Sequence, residues 1–125
     1  MGHPVVHFEV IGQDPAALRA YYGELFGWEF HTGDAATDEV SAPGDYGFVD
    51  GGTTGGINGG IGGGAGYARR TLFYVGVPDV AEALAQAESL GGTRLMGPAK
   101  APGGDLVVAH FADPEGNLVG LAGTA

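Results

Sequence analysis

Apolar and polar positions alternate over residues 5–11, with Phe8 and Val10 on one side and His7, Glu9 and Ile11 on the other. That period of two is the signature of a half-buried strand whose second face is mixed. The period then changes. Asp14 followed by Pro15 reads as an N-cap and a first helical position, and Leu18, Tyr21, Tyr22 and Leu25 recur at helical spacing as far as Gly27, so a helix is predicted over 15–26. Trp28-Glu29-Phe30-His31 is predicted to open a second strand. Short extended pieces follow at 39–42 and 46–50, with a glycine-broken one at 55–61.

The same order returns with an offset of about 65 residues, running from His7–Asp14 to Leu72–Asp79 and on through Leu25 and Gly27 to Leu90 and Gly92. The second copy predicts a strand at 71–77, an Asp79 cap, a helix at 80–90 with Val80, Leu84, Ala87 and Leu90 inward, and a stop at Gly91-Gly92. Extended segments at 93–96, 106–112 and 117–122 complete it. Each copy is therefore β-α-β-β-β. One such unit has an open edge and half a core, so two of them, joined or swapped between chains, are expected to curl their sheets into a cup with helices outside. The expectation is one α+β domain over 1–125, with module one at about 5–61, a glycine-rich link at about 62–70, and module two at about 71–123. The copies differ in chemistry: where the first carries His7, the second carries Leu72.

The chain has 125 residues and no cysteine, which leaves room for one core without staples and excludes disulfide or thiolate chemistry. Five Lys/Arg against fifteen Asp/Glu give a formal charge of −10, which argues against nucleic acid and anionic membranes and favours cationic ligands. The acidity is concentrated in the first copy. Neither a leader-like start nor an apolar run of spanning length is present, so a cytoplasmic protein is expected. Between residues 51 and 66, ten of sixteen are glycine; Ile57 and Ile61 punctuate the run as a strand held close to another backbone would.

The strand and Asp-Pro helix, Phe26-Gly27-Trp28, the Gly-Gly-Ile-Asn-Gly-Gly-Ile segment at 55–61 and Asp113-Pro114-Glu115-Gly116-Asn117 together resemble the vicinal oxygen chelate superfamily. That group contains glyoxalase I, extradiol dioxygenases, fosfomycin-modifying enzymes and bleomycin-resistance binding proteins. The resemblance implies the paired-module fold and a homodimer. Metal-dependent members place a His on the first strand of each copy and a carboxylate on the last strand of one or both. Carried across, the first His matches His7, the second falls on Leu72, and the carboxylate expected after the DPEGN turn falls on Gly120. In the first copy the corresponding stretch offers Asn58. One His and one amide fall short of the three protein ligands a catalytic divalent metal takes, so neither metal nor other cofactor is expected.

Strand parity puts Phe8, Val10, Phe73 and Val75 under the helices and turns His7, Glu9 and Tyr74 into the cup; Phe111 with the helices would turn Val108 and His110 inward. His7, Glu9, Tyr74 and His110 form the expected polar group, with Trp28, Tyr46 and Phe48 as candidate aromatic walls and Asn58 beside them. His7, Glu9 and His110 could alternatively make a two-His-one-carboxylate set suited to iron. His3 and His31 read as solvated. No phosphate loop, serine elbow or dinucleotide fingerprint is present. Two functions remain: a metal-independent protein that sequesters an aromatic or cationic small molecule in a dimer-shared cavity, or an enzyme of the same superfamily, whether lyase, dioxygenase or metal-free acid/base catalyst using His7, Glu9 and Tyr74.

Overall fold

The computed structural model describes residues 2–33, 36–102 and 104–124. Their contacts divide into two compact units, one of residues 7–71 and one of the remainder. The elements in chain order are β1 (Val5–Gly12), α1 (Pro15–Phe26), β2 (His31–Gly33), β3 (Tyr46–Val49), α2 (Gly51–Thr54), β4 (Asn58–Gly63), β5 (Arg70–Gly76), α3 (Val80–Ser89), β6 (Thr93–Lys100), β7 (Val107–Ala112) and β8 (Leu118–Gly123). The fold is α+β, and each unit carries the β-α-β-β-β order, with the four-residue α2 as an addition to the first.

In the unit of residues 7–71 the strands lie in the order β2-β3-β4-β1. β1 and β4 are parallel while β4, β3 and β2 are antiparallel in turn. Helix α1 starts where the Asp14 carboxylate accepts from the Ala17 N–H at 3.1 Å and Pro15 fixes the first turn. It ends at Gly27, whose φ of 73° is the left-handed cap that an L side chain resists. The inward stripe is narrower than the apolar spacing predicts: Pro15 is buried, Leu18 and Tyr22 are half-buried, and Tyr21 and Leu25 are 61% and 56% exposed. The sheet core of this unit is Ile11, Val49 and Ile61, each at most 2% exposed.

Glycine in β4 answers a packing demand from both faces. A Cβ on Gly59 would sit 1.9 Å from the Phe8 ring, one on Gly60 would sit 2.1 Å from the Tyr46 ring, and one on Gly62 would sit 2.6 Å from that same ring. The aromatic side chains lie across the glycines and cover a strand that has little side-chain surface of its own. Gly63 is different in kind: its φ is +119° and an added Cβ would meet the Gly12 carbonyl oxygen at 2.0 Å.

The other unit repeats the plan in the order β5-β8-β7-β6, with β5 and β8 parallel and the rest antiparallel. Helix α3 is capped by Asp79, whose carboxylate accepts from Glu82 N–H at 3.1 Å. Val80 and Leu84, both fully buried, press onto Ala109 and Leu121, with Val75, Val77 and Phe111 around them. Leu72, Tyr74, Ala99, Val108 and Ala122 form a second apolar cluster. The DPEGN turn is held by the Asp113 carboxylate, which accepts from the Glu115 and Asn117 backbone N–H groups at 2.9 Å and from the Asn117 amide at 3.0 Å. These bonds hold the Asp113 pKa below its usual value. The chain start is tied to this unit by Gly76 N–H donating to Pro4 O at 2.8 Å.

Several local expectations are corrected. Residues 39–42 form a turn, fastened by Val40 and Ser41 N–H to Thr37 O and by Ala42 N–H to Gly63 O. Trp28 and Phe30 precede the second strand, because the Gly27 cap turns the chain and Trp28 packs back onto Tyr22 and Phe26 of α1. β4 runs on to Gly63, two residues past the last isoleucine. Phe73 is 44% exposed and Leu90, just past the end of α3, is 72% exposed, so neither joins the core. Among the described residues no helix is long and apolar enough to cross a membrane.

The contrast between two glycines tests this reading. Gly63→Ala combines a disallowed backbone region with a clash against fixed backbone and should lower unfolding free energy by about 3 kcal/mol. Gly56→Ala, whose Cβ would be 3.6 Å from the Thr54 hydroxyl, should stay within about 0.5 kcal/mol of the parent in urea unfolding. Equal midpoints for the two variants would remove the packing account of β4.

Candidate functional site

Two polar side chains of β1, the half-buried His7 and the buried Glu9, converge on one tyrosine. Register pairs Glu9 of β1 with Gly60 of β4, and Gly60 in turn with Phe48 of β3. Paired residues share a face, so Glu9, Gly60 and Phe48 look the same way, as do His7 and Tyr46 two residues along. With no side chain at Gly60 or Gly62, the Tyr46 ring crosses β4 and brings its hydroxyl to β1. The Tyr46 O–H donates to Glu9 Oε1 at 2.9 Å, and His7 Nε2 lies 2.7 Å from the same hydroxyl oxygen. With the single Tyr46 proton donated to Glu9, His7 donates Nε2–H to the Tyr46 oxygen, and Nδ1 is then the ring nitrogen without a proton.

Burial sets the charge state. Glu9 is 3% and Tyr46 6% exposed, and desolvation lowers the His7 pKa from 6.5 to about 4. His7 is thus neutral near pH 7. Its ring stacks at 6.3 Å from both Tyr46 and Phe48, with interplanar angles of 16° and 19°. A neutral imidazole, a phenol and a carboxylate in sequence, walled by a Phe, can hold a polar group of a small molecule or pass a proton along the chain.

The second unit builds a comparable pair. Register places Tyr74 opposite Gly120 and His110 opposite the same glycine. Tyr74 therefore stands at the place of Glu9, Gly120 at that of Gly60, and His110 at that of Phe48. The Tyr74 ring lies over Gly120, where a Cβ would be 2.4 Å away, and its hydroxyl is 2.7 Å from His110 Nε2. Tyr74 and His110 are 3% and 4% exposed. In both units a glycine occupies the last-strand position and a tyrosine fills the space above it.

The other candidates fall elsewhere. Asn58 is opposite His7 in register, but its Oδ1 accepts from the Gly51 N–H at 2.8 Å and so holds the start of α2. Trp28 belongs to an aromatic group with Phe8, Tyr22 and Phe26, at 5.0–5.9 Å between centroids. Sequence reasoning missed the central role of Tyr46, grouped there with apolar walls, and missed Gly60 as the counterpart of Gly120. Register was the absent information. A divalent metal does not fit these donors: Nε2 of His7 and Nε2 of His110 are each held by a tyrosine hydroxyl, and among the described residues no three His, Cys, Asp or Glu side chains assemble as a ligand group.

Comparison with known proteins agrees with this architecture. The family model of a glyoxalase-like domain matches residues 7–122. No curated protein matches the chain. A variant of Streptomyces coelicolor methylmalonyl-CoA epimerase in complex with 2-nitronate-propionyl-CoA superposes with a TM-score of 0.69 at 18% identity, covering 98% of this chain and 95% of that one. A hypothetical protein of Bacillus halodurans C-125 gives 0.71 at 11% identity, over 100% and 96% of the two chains. A Legionella pneumophila protein described as an NAD-dependent benzaldehyde dehydrogenase gives 0.63 at 12%, over 95% and 98%.

The depressed His7 pKa sets a pH dependence. Between pH 6.5 and about 4 the unfolded chain carries a proton on this residue that the folded chain does not, so stability falls as pH falls through that window. At roughly 1.4 kcal/mol per pKa unit the full loss is about 3 kcal/mol. Urea unfolding of the parent should therefore weaken by about 2 kcal/mol more between pH 7 and 4.5 than that of His7→Gln. Parallel pH profiles for the two proteins would show that His7 is not buried in its neutral form.

Proposed function

Since the chain belongs to the glyoxalase-like domain family, whose fold frames the His7–Tyr46–Glu9 group, we propose that it is a metal-independent small-molecule-binding protein. The observation that carries this reading is the pair of glycines, Gly60 and Gly120, each under a tyrosine ring where a last-strand carboxylate would otherwise project. What is left at the first site is a directional chain of hydrogen bonds beside the Phe48 ring, suited to a flat molecule with one polar group. The acidic first half favours an aromatic or cationic compound, in the manner of drug sequestration. Chelator treatment leaves the melting temperature and ligand binding unchanged on this reading. Metal analysis giving near one equivalent per chain, abolished by His7→Ala, would overturn it.

The hydrogen-bond chain also supports a second reading, metal-free acid/base catalysis with His7 Nδ1 as base and Tyr46 and Glu9 orienting the imidazole. One experiment separates the two. Tyr46→Phe removes the hydroxyl and keeps the ring, so a sequestering protein should lose about tenfold in affinity, as for the loss of one hydrogen bond that orients the site. The panel is bleomycin-like cations and planar polyketides, read by the fluorescence of Trp28. If none binds and a thiol-conjugated aldehyde, a catechol or an acyl-CoA is turned over instead, the catalytic reading replaces sequestration.

We also propose a homodimer, which the exposed Leu25 and Phe26 near the end of α1 support as apolar surface beyond what a free helix needs. Sedimentation at micromolar concentration should give twice the chain mass of 12.5 kDa; a single species at one chain mass would refute it.

A further inference from the structure

The chain has five Lys/Arg against fifteen Asp/Glu, yet two of the five, Arg69 and Arg70, are adjacent and border the same groove. The groove has a volume of about 800 Å³, within the range of small-molecule sites. Val10, Leu18 and Tyr21 give it apolar lining, and Asp14, Arg69, Arg70 and Thr71 give it polar lining. None of the groove residues belongs to the His7–Tyr46–Glu9 group.

Arg70 is the unusual member. Its Nε and Nη2 atoms are buried and have no hydrogen-bond partner. Other arginines have acceptors: Arg19 donates to the Asp45 carbonyl oxygen at 2.6 Å and Arg94 to the Glu88 carboxylate at 2.9 Å. The Asp14 carboxylate also borders the groove, where its Oδ1 accepts from the Ala17 N–H. Withdrawing charged donors from water without an acceptor is costly, so a ligand that supplies one is strongly favoured. Nε and Nη2 form the side-on edge of the guanidinium, whose two parallel N–H groups match the two oxygens of a carboxylate or phosphate.

We propose that this groove is a binding site for a small organic oxyanion, a carboxylate or phosphate carried on an apolar body, with the Arg70 fork taking the two oxygens, Arg69 adding charge at the rim, and Val10, Leu18 and Tyr21 holding the body. The site goes beyond the reading of the His7 group and does not depend on it.

The test is a titration of ¹⁵N-labelled protein with benzoate, phenyl phosphate, inorganic phosphate and benzyl alcohol, following the Arg70 Nε–H resonance by NMR and affinity by calorimetry. Benzoate or phenyl phosphate should shift that resonance and saturate at one per chain, and the tighter of the two identifies the headgroup. Inorganic phosphate, which lacks the apolar body, and benzyl alcohol, which lacks the charge, should each bind at least tenfold more weakly. Arg70→Lys keeps the charge and loses the fork, and should cost tenfold or more; Arg69→Gln should cost a few-fold. An Arg70 resonance unmoved by every anion overturns the proposal from the parent protein alone, as does benzyl alcohol binding as tightly as benzoate, or Arg70→Lys binding as the parent does.

Discussion

The Tyr46 ring lying across β4 is the contact on which the first unit turns. It fills the face of a strand that lacks side chains at Gly60 and Gly62, and its hydroxyl joins His7 to Glu9. Remove the ring and the strand loses its cover; restore a side chain beneath it and the ring has nowhere to lie. A glycine-rich strand is thus stable here for a reason that resides on β3. Phe8 does the same for Gly59 from the opposite face. The polar group is a consequence of that packing, since a buried carboxylate at 3% exposure is tolerable only when donors meet it, and the ring that covers the glycines delivers one.

The second unit uses the same device with different residues. Tyr74 comes from the first strand, where Tyr46 comes from the third, and each covers the glycine of its own last strand. The two units therefore share the arrangement while different residues make it. This is why matching the copies residue by residue, Leu72 to His7, shows a difference in the sequence where the structure shows a common solution.

Much of the fold was legible. Asp14-Pro15 and Asp79 start their helices where predicted because caps are local chemistry, and the offset of the copies revealed the repeated β-α-β-β-β order. The pairing of Phe8 and Val10 against His7 and Glu9 followed from alternation alone. What sequence could not supply was register and distance. Residues 39–42 looked extended because Val40 and Ala42 alternate with polar neighbours, yet bonds to Thr37 and Gly63 close them into a turn. Tyr21 and Leu25 have helical spacing, but only a narrow line of α1 reaches the sheet. Asn58 read as a ligand, and its amide proved to secure the backbone of α2. The site was legible as a set of residue types around His7 and Glu9; that Tyr46 organises them depended on Gly60 standing opposite both Glu9 and Phe48.

The tyrosine-over-glycine pairing also constrains how this scaffold can change. Installing a carboxylate at residue 60 or 120 drives new atoms into an aromatic ring, while deleting the ring first opens a void worth about 3–5 kcal/mol. Neither order offers a neutral first step. A metal-binding variant would have to cross that valley separately in each copy, so point substitutions can retune what the hydroxyls hold far more easily than they can install last-strand carboxylates.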